Sequence, residues 1–349
     1  MDKIDFWKDK RVFVTGHTGF KGSWLCLLLY SLGAKVVGYA LKPPTEPSLF
    51  QLARIDEVIE SHIGDVRNYD TLFSIMKMAE SEVVIHMAAQ PLVLESYSNP
   101  RCTYDVNVMG TVNVLEAIRH CESVCSVLNV TTDKVYRNNE WEWGYRETDT
   151  LDGFDPYSNS KSCSELVTAS YARSFFSDRN ISVATARAGN VIGGGDFSDN
   201  RIIPDCVRAV KDNKVIKIRN PNSVRPYQHV IDPLMCYLLL LENHANGAFN
   251  IGPDDTEIIN TGELVKMFGS YFNNFKAEIS ENPDAPHEAN LLRLDTSKIR
   301  NHYAWVSSIS IKKAVHLTAE WVKRWMSGDD IRTISLGQIE AFLGGKCSE

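Results

Sequence analysis

Residues 131–136, TTDKVY, place two hydroxyls, a carboxylate, an amine and a phenol in six consecutive positions. They follow the apolar run CSVLNV, which reads as a buried strand. Farther on, YSNSK sets Tyr157 and Lys161 four residues apart, on one face of a helix. Such groups suit proton transfer: a carboxyl can act as an acid, and a tyrosine beside a cation as a base near neutral pH. Each fragment taken alone is as readily a polar turn or a chance spacing. The weight comes from what precedes them in the chain.

VFVTGHTGFKGSW puts Gly16, Gly19 and Gly22 between a first strand and a first helix. Glycines there permit a tight turn and let a pyrophosphate approach the helix N-terminus, whose free N–H groups and dipole favour anions. The spacing is GxxGxxG rather than GxGxxG, and its place at the chain start strengthens the dinucleotide reading. The second strand ends GYALKPP, with Lys42 where an Asp or Glu would report NAD. Read alone, Lys42 leans towards NADP, and a solvated strand-end lysine explains it equally well. Asp65 in GDVRN is suited to accept a hydrogen bond from an adenine amino group, and Ala88 and Ala89 in MAAQP let backbone pass close to a cofactor.

Short strands (RVFVTG, KVVGYAL, EVVIHMA, CSVLNVTT, ISVATARAGNVIG) alternate with helical segments. This predicts an α/β fold, a Rossmann-type doubly wound parallel sheet, with every strand's C-terminal end along one ligand-binding edge. TTDKVY falls on that edge. The glycine- and aspartate-rich GGGDFSDNRIIPD and the irregular NPNSVRPYQHV break the alternation. We therefore expect residues 1–189, with returning segments near 228–252, to form the dinucleotide-binding domain. Most of 190–349 is expected to form a smaller mixed α/β substrate domain.

The 349 residues carry 44 acidic and 37 basic side chains, a net charge of −7, so no global attraction to nucleic acid or anionic membrane is expected. No apolar run approaches membrane-spanning length, and the N-terminus has no signal-peptide core. The eight cysteines form no CxxC pair and no zinc-like pattern, which reads as reduced, buried thiols in a cytoplasmic protein, with no metal.

With TTDKVY, YSNSKSCSE, VTGHTGFKGSWL, GYALKPPTEPSLF, GDVRNYD, HMAAQPLV, NVMGTVNVLEA, ARAGNVIGGGDFSDNRIIPD, VRPYQHV and HEANLLRLD all present, the chain resembles the extended short-chain dehydrogenase/reductase superfamily. Within it, the resemblance is closest to the bacterial CDP-glucose 4,6-dehydratases. Tyr227 stands where that group would have tryptophan. The resemblance implies a bound NAD and a nucleotide-sugar substrate. It implies that Thr132 holds the hydroxyl at sugar carbon 4, that Tyr157, supported by Lys161, removes its proton, and that the same cofactor takes up and returns the hydride. Asp133 would protonate the departing carbon 6 hydroxyl. Lys134 stands where relatives acting on dTDP- or GDP-sugars carry a glutamate, and would be the carbon 5 base if burial or nearby cations lower its pKa.

For the cofactor, the resemblance adds Thr18, Phe20, Lys21, Val66, Gln90 and Asn107 to the glycines, Asp65, Ala88, Ala89, Tyr157 and Lys161. For the substrate it implies Gln90, Asn190 and Arg225, then Arg201, an arginine fork being suited to a pyrophosphate. His287 and Glu288 could approach the nucleoside or form an ordinary turn. His86 and His229 read as structural. A 4-epimerase would need only the Thr, Tyr and Lys, and a cofactor-sensing regulator would have lost the Tyr or Lys, so the adjacent Asp133–Lys134 pair favours a dehydratase. The nucleobase rests on the resemblance alone. So do a homodimer built on the Tyr157 helix and a role in deoxysugars of the lipopolysaccharide O-antigen.

Overall fold

The computed structural model describes residues 6–218, 220–280 and 292–345. His287 and Glu288 lie outside the described residues. Seven strands form the main sheet: β1 (Arg11–Thr15), β2 (Lys35–Ala40), β3 (Glu60–Ile63), β4 (Val83–His86), β5 (Ser126–Val130), β6 (Ser182–Ala188) and β7 (Gly247–Ile251). Their order is β7-β6-β5-β4-β1-β2-β3, and every neighbouring pair is parallel. The order reverses between β1 and β4, which opens the ligand crevice of such sheets.

The longer helices are α1 (Phe20–Ser31), α2 (Tyr69–Ala79), α3 (Gly110–Arg119), α4 (Pro156–Tyr171), α5 (Ile202–Asp212), α6 (Ile231–Glu242), α7 (Thr261–Gly269), α8 (Ile311–Met326) and α9 (Ile331–Leu343). Burial on both faces explains the continuous apolar strands. Val12, Val14, Ile85, Leu128 and Ala186 join the apolar cluster on one face, and Phe13, Val84, Val127 and Val183 the cluster on the other. Towards the C-terminal ends of β5 and β6 this second face turns polar, with Asn129, Thr131, Thr185 and Arg187 all buried beneath α4.

Beyond β6 the chain builds short pairs: Val215–Ile218 with Lys276–Ile279 in parallel, and Val224–Arg225 with Ile259–Asn260 antiparallel. The segment 247–251 returns as edge strand β7. At the C-terminal end of the described chain, α9 packs against α1. Arg54 pairs with Asp330 at 2.6 Å, and Arg332 Nε donates to the Ala53 carbonyl at 2.6 Å. The physical reason is a shared apolar surface, since Trp24, Leu25, Leu264, Trp321 and Ile339 belong to one continuous buried cluster. That cluster also fixes the triple glycine. A Cβ on Gly194 would lie 2.0 Å from the Trp321 ring, and Trp24 Nε1 donates to the Gly194 carbonyl at 2.9 Å.

Candidate active site

Gly16 has φ +81°, and a Cβ there would lie 2.8 Å from the Ala88 nitrogen, so the β1 turn and the 88–90 loop meet backbone to backbone. A Cβ on Gly22 would lie 2.1 Å from the Gly16 carbonyl oxygen, which keeps α1 close to the turn. Gly19 caps α1 without a side-chain hydrogen bond, and no acidic residue occupies the first turn. The N–H groups of Phe20, Lys21 and Gly22 thus meet neither capping side chain nor carboxylate. This donor set fits the pyrophosphate of a dinucleotide.

Around it, Thr18 Oγ1 donates to the Leu41 carbonyl at 2.8 Å, and Lys42 is exposed. His17 fills the hollow over Gly38, hydrogen-bonds Ser61 Oγ at 2.7 Å, and is pushed down to about 4 by burial. Asp65 takes hydrogen bonds from Arg67, which hold it below the usual carboxylate range despite partial burial. Phe20 lies beside Gly193, and Ala88 and Ala89 are half-buried.

Three further residues expected to serve the cofactor have inward-facing side chains. Asn107 Oδ1 accepts from Gln90 N at 2.8 Å, while its Nδ2 donates to Gln90 O at 3.1 Å and to Ser160 Oγ at 2.9 Å. The Gln90 amide is taken up by Leu92 and Thr103. Val66 is buried against Gly110, where a Cβ would lie 2.8 Å from its Cγ2. A buried amide must satisfy its donors and acceptors, and here that demand fixes the loop after β4.

At the end of β5 the chain makes a single 3₁₀ turn, Asp133–Val135, capped by Thr132, whose Oγ1 accepts from Lys134 N at 3.4 Å. The Thr132 hydroxyl also donates to Asp133 Oδ1 at 3.0 Å. Asp133 is 1% exposed, and its Oδ2 has no hydrogen-bond partner. Burial raises its pKa, opposed by the charges of Lys134, Arg225 and Lys21 and by the Thr132 bond. The result is a carboxyl inclined to keep its proton. Lys134 itself is half-buried.

Tyr157 and Lys161 come from α4, begun by Asp155 as N-cap and Pro156. The phenol is pushed up to about 12 by burial, against a hydrogen bond with the Thr132 hydroxyl and the charge of Arg201. A phenol near neutrality, expected from the lysine spacing, is therefore not what the protein alone provides. The reason is geometric: Lys161 Nζ donates to the Val130 carbonyl at 3.0 Å, and burial lowers the amine to about 8.

Lys21 adds a cation that sequence reasoning placed only with the cofactor. Its Nζ lies 3.4 Å from Tyr237 OH, burial brings it to about 8, and Arg201, Lys161 and Asp133 all act on it. Arg225 is 7% exposed and forms no ion pair among the described residues. A buried guanidinium without a carboxylate suits an anionic ligand. Arg201 is anchored by buried Asp196 at 3.1 Å. Asn190 is half-buried and accepts from Gln228 N at 3.0 Å through its carbonyl.

His86 bridges Thr15 and Thr111 in the core, and His229 is fully buried beside Trp24. Among the described residues, no group of three or more His, Cys, Asp or Glu is placed to hold a metal, and no helix is long and apolar enough to cross a membrane. Glu165, one helical turn after Lys161, escaped sequence reasoning. The i+4 spacing on the catalytic face was the available signal.

Comparison with known proteins agrees with this arrangement. A family model described as GDP-mannose 4,6 dehydratase matches residues 13–318. A CDP-glucose 4,6-dehydratase from Salmonella typhimurium is 43% identical over 350 residues, covering 97% of this chain and 98% of that protein. Among solved structures, UDP-glucose 4-epimerase from Thermotoga maritima with UDP-glucose matches with a TM-score of 0.80 at 21% identity, over 90% of this chain and 99% of that one. UDP-glucose-4-epimerase from Stenotrophomonas maltophila, with bound NAD and formylated UDP-arabinopyranose, matches with a TM-score of 0.80 at 20% identity, over 91% and 99%. With a glycine turn, a Thr-Asp-Lys strand end and a Tyr-Lys helix on one sheet edge, the chain belongs to the GDP-mannose 4,6 dehydratase family.

Proposed function

We propose that this protein is a hydro-lyase, an NAD-dependent CDP-glucose 4,6-dehydratase that forms CDP-4-keto-6-deoxyglucose. The observation that carries the reading is Asp133, a buried carboxyl with raised pKa and an unpartnered oxygen beside Thr132 and Lys134. An epimerase has no step for a proton donor there. The choice of CDP-glucose follows the 43% identical relative.

NAD, when bound, would accept hydride from sugar carbon 4 and return it to carbon 6. Thr132 and Tyr157 hold the carbon 4 hydroxyl, and Tyr157 takes its proton. The ketone acidifies the carbon 5 hydrogen, Lys134 removes that proton, Asp133 gives its own to the carbon 6 hydroxyl, which leaves as water, and Lys134 returns a proton to carbon 5 as carbon 6 regains its hydride. The first turn of α1, with Thr18, Lys21 and Asp65, holds the dinucleotide, while Asn107 and Gln90 keep its loop in place. Arg225, Asn190 and Arg201 serve the substrate pyrophosphate, on the side formed by the segments after β6. A homodimer fits the exposed Tyr97, Tyr104, Met109, Leu166 and Phe175 on and around α4.

The test is incubation with a panel of nucleoside diphosphate hexoses, followed by mass spectrometry and nicotinamide absorbance. CDP-glucose is expected to lose one water with no net reduced cofactor. Reduced cofactor accumulating in step with product would mean a plain dehydrogenase, and a carbon 4 epimer without water loss would mean an epimerase. Lys134→Met is expected to abolish solvent-deuterium incorporation at carbon 5 and to slow dehydration about a hundredfold or more. Near-normal dehydration in this variant would move the base to another residue.

A further inference from the structure

Glu165 on α4 and Arg187 on β6 are both 3% exposed and joined as a two-pronged pair: Arg187 Nε and Nη2 each lie 3.0 Å from a different carboxylate oxygen. The same carboxylate accepts from Thr131 Oγ1 at 2.5 Å and from Thr185 Oγ1 at 2.6 Å. Arg187 Nη1 donates to Tyr136 OH at 2.8 Å, and Tyr136 OH donates to Asn250 Oδ1 at 2.6 Å. Thr131 and Tyr136 are the first and last residues of TTDKVY. The pair therefore grips the catalytic stretch at both ends, while Ser162 Oγ holds its middle at the Val135 carbonyl, 2.7 Å away.

Stability alone does not call for this arrangement. A buried ion pair is commonly matched or bettered by apolar residues of similar volume. The same sheet face is apolar nearer the N-terminal ends of its strands, at Phe13, Val84, Val127 and Val183, and turns charged only beneath TTDKVY. Glu165 also lies one turn from Lys161. Lys161 is faced by Glu165 on its own helix, by the Lys21 cation from α1, and by His86 from β4, which burial holds neutral at about 3. Of these, Glu165 alone favours the ammonium.

We propose that Glu165 and Arg187 are positioning residues: they fix Thr132, Asp133 and Lys134 relative to Tyr157. This rests on the dehydratase reading. The pair touches neither substrate nor cofactor and acts through the residues that do. Its effects should fall on turnover rather than on substrate binding.

The experiment uses the full-length enzyme with saturating NAD, following kcat and KM for CDP-glucose, with thermal melting as the folding control. Two variants are compared with wild type, Glu165→Gln/Arg187→Met and Thr131→Val. The double variant removes both charges together, so neither is left buried and unpaired. Thr131→Val removes one grip at near-constant volume, so the inference stays testable even if the double variant fails to fold. Expected in the double variant is a fall in kcat of about a hundredfold, the scale of a displacement near 1 Å at a reacting group, with KM within about threefold. Thr131→Val is expected to lose about tenfold in kcat with unchanged melting.

The split between kcat and KM separates positioning from mere structure: a folded variant that loses kcat at near-constant KM has displaced its reacting groups without losing the substrate site. A folded double variant with wild-type kcat overturns the proposal, as does wild-type kcat in Thr131→Val. Wild-type enzyme that fails to dehydrate any nucleotide sugar overturns the dehydratase reading instead, so the two failures are distinguishable.

Discussion

Asp133→Asn is expected to stop the reaction halfway. Asparagine keeps the shape and can still accept the Thr132 hydroxyl bond seen at 3.0 Å, but it carries no acid proton for the carbon 6 hydroxyl. Losing one placed proton donor costs roughly a hundred- to ten-thousand-fold. Hydride transfer from carbon 4 does not need that proton, so a single turnover with CDP-glucose should show reduced nicotinamide appearing promptly while dehydrated product lags far behind. Stopped-flow absorbance with quenched mass analysis reads both. The raised pKa of Asp133 gives the sign with pH: elimination in wild type needs the protonated carboxyl, so its rate falls as pH climbs through that pKa. The Asn variant should lack this limb. If no reduced cofactor forms, the carboxylate belongs to the oxidation step and the division of labour fails.

Tyr157→Phe is expected to abolish both halves. In the proposed mechanism the phenol takes the proton from the carbon 4 hydroxyl, and without it neither transient reduction nor dehydration should exceed about a hundredth of the wild-type rate. Substrate affinity should change by no more than about threefold, because the lost interaction acts in the transition state. Burial holds this phenol up at about 12 against the Thr132 hydrogen bond and the charge of Arg201, so further positive charge, such as that of a bound oxidised nicotinamide, would have to bring it down during reaction. Weakening those charges should mimic the Phe variant in part. Substantial reduced cofactor in Tyr157→Phe would assign the first proton to another base.

The residues legible in the sequence were those whose partners lie close along the chain or at a fixed strand end. The Gly16–Gly22 turn, the Thr132–Lys134 stretch and the Tyr157/Lys161 pair all follow from local periodicity, and parallel pairing then brings them to one edge. Asn107 and Gln90 were harder, because the direction of a polar side chain depends on which buried donors need partners. Both turned inward. Lys21 sat in view within the glycine loop, but its proximity to Lys161 and Asp133 arises from long-range packing. Glu165–Arg187 was invisible for the same reason: 22 residues separate the partners, and the packing of α4 on β6 joins them. The docking of Ile331–Leu343 on α1 likewise depends on complementary apolar surfaces that no single window reveals.

The return of residues 247–251 as edge strand β7 has a consequence for the order in which a nascent chain becomes competent. Asn250 on that strand takes the Tyr136 hydroxyl bond, and its Nδ2 donates to the Tyr145 carbonyl at 2.7 Å. All the catalytic side chains have been synthesised once Lys161 leaves the ribosome, yet the anchor for their loop arrives some ninety residues later. Until then β6 ends the sheet with its backbone donors and acceptors unpaired, a surface prone to pair with other chains. The final strand therefore closes an aggregation-prone edge and completes the catalytic floor in a single folding event, tying protection of the young protein to the onset of its chemistry.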